Sequence, residues 1–111
     1  MKLPIYGKVD GKKAVVKTHE ADTYDLMFGT CEDVANVVDL DQLKTGSDTE
    51  IIRMVGSAVI KSFDTVKDLL KDIFPDLTDE ELKNAKVKDI AGVLVDVVKY
   101  TITRLTSNSK N

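Results

Sequence analysis

The chain opens with polar and apolar residues in alternation and then shifts to a helical rhythm. Residues 3–9 and 13–19 read as short strands around Asp10-Gly11, a pair that favours a tight hairpin turn. Val9, Val15 and Val16 are residues that strands favour, and Pro4 suits an edge strand better than a central one. Two strands alone are marginal in water, so this hairpin must pack on helices, pair with another strand or dock onto a partner. Residues 21–29 then place Tyr24, Leu26, Met27 and Phe28 close together, with room for one or two helical turns begun at Asp22 or Thr23. Gly29 fits a left-handed cap at their end. Thr30 reads as the N-cap of a second helix over residues 31–39, with Asp33 in its capping box. Val34, Val37 and Val38 form its apolar face, Leu40 and Leu43 close it off, and Lys44-Thr45-Gly46 is a linker.

Residues 47–75 carry the longest periodic stretch. Ser47 and Glu50 have the spacing of a capping box, in which each side chain satisfies an orphan N–H of the other residue. Ile52, Val55, Val59, Phe63, Val66, Leu70 and Ile73 then recur at steps of three, four or seven, one helical stripe. Pro75 has no N–H and disfavours helical geometry at Phe74, which stops the helix there. Unbroken, it would be roughly 40 Å long. Gly56 and the Ser62-Phe63-Asp64 step are its possible bends.

Beyond Pro75, Thr78 and Glu81 form another capping box and Leu77 is placed to staple against Leu82. Asp79, Glu80 and Glu81 also suit the positive end of the helix dipole. That helix is short, ending near Asn84 or Lys86. Residues 87–105 are rich in β-branched side chains, and Val93, Val95 and Val97 alternate as in a strand. Ile90, Leu94, Val97 or Val98, Thr101 and Leu105 nevertheless keep helical spacing for about five turns, too long for a strand without a turn residue. The stretch therefore reads as helix. Val93, Val95, Val98 and Ile102 widen its apolar surface, as in a buried central helix or one shared across an oligomer interface. The expected fold class is α+β, mainly α. An N-terminal β-hairpin (1–20) precedes a compact bundle of about four or five helices with one long central helix (22–106). Together they make a single domain (1–106), and 107–111 form a polar, disordered tail.

Composition narrows the function. At 111 residues, 42% hydrophobic and 32% charged, the chain has the balance of an ordinary globular domain with one modest core. Its net charge is −3 and no basic run is present, which disfavours nucleic acid as a partner. No apolar stretch approaches the roughly 20 residues of a membrane span, and the N-terminus lacks a secretory signal pattern. The single cysteine, Cys31, fits a reducing compartment. Charge is unevenly placed. Lys2, Lys8, Lys12, Lys13 and Lys17 make the hairpin cationic, whereas residues 23–46 hold five acids and one lysine. The two segments could match each other, or the acidic one could face a basic partner.

Catalytic and metal-ligating spacings do not emerge. His19 is alone and reads as a partly exposed strand residue, with no Cys-x-x-Cys, His-x-x-x-His or Gly-x-Ser-x-Gly pattern around it. Cys31 lies next to a predicted helix start, a position that activates thiols, but has no second cysteine or nearby base and reads as unreactive. The glycines form no phosphate-cradling loop; Gly56 and Gly92 lie inside helices, where they would permit close helix approach. No enzyme, cofactor or metal is expected. Two features remain as surfaces. Tyr24, Leu26, Met27 and Phe28 are either a plug under the hairpin or a partner-binding cluster, and the last helix is either buried or shared.

The run Glu20-Ala21-Asp22-Thr23-Tyr24-Asp25-Leu26-Met27-Phe28-Gly29-Thr30, followed by Glu32-Asp33-Val34, resembles the tail assembly chaperones of long-tailed, siphovirus-type bacteriophages and prophages of Gram-positive bacteria. Residues 64–74, 78–82, 87–90 and 97–100 are similar to later parts of that family, in the same order. The likeness is spread over nearly the whole chain, and no catalytic motif anchors it. It implies a protein of the host cytoplasm, absent from the mature virion, that binds the tape measure protein, keeps it soluble and helps recruit the tail tube protein. It also implies a longer frameshift product in many such phages and allows self-association; Lys110-Asn111 is compatible with a slippery codon pair. A small acidic helical protein with an aromatic–Met cluster is suited to holding irregular apolar partners. Two other readings stand beside it. One is a structural head–tail connector or tail terminator that stays in the particle. The other is a small helical regulator, which the missing basic recognition helix disfavours.

Overall fold

The computed structural model describes residues 1–38 and 47–109. Leu40, Leu43, the Lys44-Thr45-Gly46 linker, the Leu105 side chain, Lys110 and Asn111 lie outside what is described. The order is β1 (Lys2–Val9), β2 (Lys12–Glu20), a 3-10 turn (Thr23–Asp25), α1 (Phe28–Val37), α2 (Asp48–Lys61), α3 (Phe63–Ile73), α4 (Asp79–Lys83) and α5 (Val87–Ser109). The fold is the expected one, a hairpin followed by five helices.

The hairpin turns at Asp10 and Gly11, both at positive φ (53° and 79°), the geometry whose twist matches that of paired strands. Its register shifts between Ile5 and Tyr6: Ile5 faces Lys17 and Tyr6 faces Val15, so Val16 is an extra residue, a bulge. Gly7 makes room for it, because a Cβ there would come within 3.0 Å of Val16 Cγ1. Leu3 and Ile5 alternate into the core and His19, opposite Leu3, joins them, whereas Val9, Val15 and Val16 stay exposed. The second edge of β1 meets the loop after α4, through Tyr6 N–H to Asn84 O (2.9 Å) and a bridge between Ile5 and Ala85. The hairpin thus pairs within the chain on one side.

α5 is the spine. It packs against α2, β1, α1 and the 3-10 turn, and buries Ile90, Val93, Leu94, Val97, Val98 and Thr101. The strand-like spelling of this segment is overridden by that burial, and Thr101 Oγ1 donates back to Val97 O as threonines in helices do. Its backbone continues to Ser109, four residues beyond the sequence-based end, since serine and asparagine weaken a helix without breaking it. Lys99 ties it to Asp48 at the start of α2 at 2.7 Å.

Several local expectations are corrected. The 47–75 stretch is two helices, because Ser62 (φ −136°, ψ 51°) both closes α2 and opens α3. The break re-phases the burial. α2 buries Ile51, Val55, Ala58 and Val59, α3 buries Val66, Leu69, Leu70 and Ile73, and Ile52 and Phe63 fall outside. The long central helix is therefore α5. Gly29 is not a left-handed cap but the second residue of α1, and Gly11 is the glycine at positive φ among those described. Thr30 is not an N-cap either. Extended Leu26 and Met27 lead straight into Phe28, and Thr30 is buried in the first turn. Gly56 and Gly92 mark no close approach, since a Cβ at either meets nothing within 4 Å. Among the described residues no helix is long and apolar enough to cross a membrane.

Candidate binding surface

The segment after the hairpin is pinned at its start. The Met1 ammonium donates to Ala21 O at 2.7 Å and the Ala21 N–H to Met1 O at 2.9 Å. Asp22 Oδ1 then accepts the Tyr24 N–H at 2.9 Å and starts the 3-10 turn, as an Asx cap does. The Leu26 N–H closes it on Thr23 O, and the Met27 carbonyl accepts the first N–H groups of α1. Of the four predicted contact residues, Leu26 alone turns inward and packs on the core. Tyr24, Met27 and Phe28 are 75%, 71% and 72% exposed, so they form a surface and not a plug under the hairpin. The Tyr24 ring stands edge-on to Tyr100 of α5, centroids 6.4 Å apart at 83°, which fixes it against the spine.

The surroundings of this cluster are anionic. Residues 21–38 contain Asp22, Asp25, Glu32 and Asp33 and no lysine or arginine. All four acids are exposed. Among the described residues, no ion pair joins this segment to the cationic hairpin, the first of the two readings the sequence leaves open. Lys2 pairs with Glu20 at 3.4 Å and Lys17 with Glu81 at 3.0 Å.

His19 corrects another expectation, because it is buried and not partly exposed. Its Nε2 is 3.0 Å from Glu81 Oε1, and its ring lies tilted against Phe74, 6.0 Å between centroids. Glu81 accepts from three groups: Lys17 Nζ, the Thr78 N–H of its own capping box, and His19. The Lys17 hydrogen bond first, then Thr78 and His19, pull its carboxyl from its ordinary 4.5 to about 2. An ionised glutamate only accepts, so His19 Nε2 carries the proton in this contact. The arrangement locks β2 onto α4. Cys31, in the first turn of α1, is half-buried. Among the described residues no three histidine, cysteine or acidic side chains come together in a way that would hold a metal.

Sequence reasoning missed a second apolar surface. Phe63 and Val87 are 61% and 63% exposed at the junction of α3, α4 and α5. An unbroken helix would keep Phe63 on its apolar stripe; with the break at Ser62 it becomes the first residue of α3 and is exposed. No family model matches the chain, and no curated protein or solved structure matches it either.

Proposed function

We propose that this chain is a phage tail assembly chaperone. It binds the tape measure protein, covers its apolar helical surface and keeps it soluble until tail tube subunits displace it. It acts in the cytoplasm of the infected or lysogenic host, beside any longer frameshifted form, and does not enter the finished virion. The observation that carries this reading is the aromatic–Met cluster. Tyr24, Met27 and Phe28, within five consecutive positions, are each largely exposed, in the segment whose sequence resembles the chaperone family. Exposed large apolar side chains are the currency of partner recognition, and methionine and aromatics adapt to irregular apolar surfaces.

Co-expression with the tape measure protein of the same phage tests the proposal. Soluble tape measure protein that co-purifies with this chain supports it. Insoluble and unbound tape measure protein, with this chain present in purified particles, overturns it. One observation favours the structural alternative, a head–tail connector or tail terminator. The outer edge of β2 pairs with no strand among the described residues, and such edges build inter-subunit sheets. Detection of the chain as a ring in virions would select that reading.

A further inference from the structure

Between the end of α2, α3, α4 and the first turn of α5 runs an apolar groove of about 360 Å³. Buried Val66, Leu70 and Ile90 form its floor, and exposed Phe63 and Val87 stand at its mouth. Its volume suits one or two large apolar side chains and lies in the range of sites that take ligands. Lys83 and Ala85 line this groove and also a neighbouring hollow of about 210 Å³, so the two are adjacent.

That second hollow is cationic. Lys8, Lys13, Lys83 and Lys86 line it with no carboxylate among its walls. Lys8 and Lys13 are direct cross-strand partners, an arrangement that destabilises a hairpin unless something offsets it. None of the four makes an ion pair among the described residues; Lys86 instead lies 4.5 Å from the centre of the Tyr6 ring. In the groove's own lining, Asp79 is engaged by Lys71 and also feels the charges of Lys67 and Lys83. A like-charge pair kept beside an open apolar groove fits a partner that brings both oil and negative charge.

We propose that this surface receives one amphipathic helix of a partner protein, its apolar anchors at i, i+3/i+4 and i+7 in the Phe63–Val87 groove and its acidic flank on Lys8, Lys13, Lys83 and Lys86. The inference rests on the chaperone reading and names the partner's docking chemistry, an acidic-flanked helix. It adds a docking site at the junction of α3, α4 and α5 to the exposed residues around Tyr24.

The test uses the full chain and two fluorescein-labelled, alanine-based helical peptides of about 15 residues, each with leucine anchors, one with glutamate flanks and one with lysine flanks. In anisotropy titrations at low salt the glutamate peptide binds, about tenfold or more tighter than the lysine peptide. Val87→Asp removes that binding, Thr103→Asp, exposed sixteen residues further along α5, leaves it unchanged, and the double variant K8E/K13E weakens it about tenfold. A single Lys13→Glu cannot be dismissed as unfolding, because it turns the Lys8–Lys13 repulsion into an attraction; it too weakens the glutamate peptide. Equal binding of both peptides, binding of neither, or binding that survives Val87→Asp overturns the proposal. So does a self-associated chain that Val87→Asp converts to monomer, or a surface that takes laurate but no peptide. Because the peptides hold no tape measure sequence, the two readings fail separately. Peptide binding without tape measure capture retires the chaperone, whereas capture that survives Val87→Asp retires the groove.

Discussion

Glu81 does two jobs with one carboxylate: it caps its own helix through Thr78 and holds β2 through Lys17 and His19. Its folded pKa lies below its unfolded one, so its contribution is fully present above about pH 4.5 and is lost as pH falls through about 2. Asp79, held below the usual carboxylate range by its hydrogen bond to Lys71, has the same sign. Glu81→Gln should therefore lower stability at neutral pH, and urea midpoints of parent and variant should converge as the pH approaches 2. A constant gap across that range would mean the charge contributes nothing. Half of this node was legible and half was not. Thr78 and Glu81 are three residues apart, and local spacing announced the capping box. His19 and Glu81 are 62 apart in sequence, and no periodicity brings a strand residue to a particular turn of a later helix. With that partner hidden, a lone histidine beside lysines reads as exposed.

Single elements offer cleaner tests because glycine positions separate backbone strain from packing. Gly56 and Gly92 sit in helix interiors with open space where a Cβ would go. Each alanine substitution should raise stability by about 0.5–1 kcal/mol in urea titrations, through the unfolded chain's lost freedom. Gly11→Ala also meets open space, yet its φ of 79° should make it lower stability by about 1 kcal/mol or more. A stabilising Gly11→Ala would contradict the turn geometry. The hairpin, the helices after Pro75 and the identity of α5 were readable because turn chemistry, caps and a sustained stripe each speak locally. The break at Ser62 was not. Seven apolar residues at helical spacing describe a straight helix equally well, and what divides it is the core. Ile51 and Leu69 are buried at the expense of Ile52 and Phe63. The same applies at Thr30, where cap spelling was overruled by the extended approach of Leu26 and Met27.

Across the whole molecule, α5 carries an apolar surface near each end. Val87 opens the groove at its start and Tyr100 supports Tyr24 thirteen residues later, about 20 Å along the axis. The first surface is bordered by lysines that make no ion pair among the described residues, and the second by Asp22, Asp25, Glu32 and Asp33. Neither apolar cluster is needed to close the core, so function and stability should separate on mutation. Tyr24→Ala, Met27→Ala and Phe28→Ala combined should change unfolding free energy by about 1 kcal/mol, the Tyr24–Tyr100 ring contact being among the interactions lost. The same triple variant should lose capture of tape measure protein in co-expression. Leu70→Ala, fully buried, should instead cost about 2–5 kcal/mol and remove capture only in proportion to the unfolded fraction. Circular-dichroism melts run beside the pull-downs read both quantities. If the triple variant melts early and captures normally, the aromatic cluster belongs to the core's support after all. If it melts with the parent and captures nothing, the exposed cluster is the binding surface.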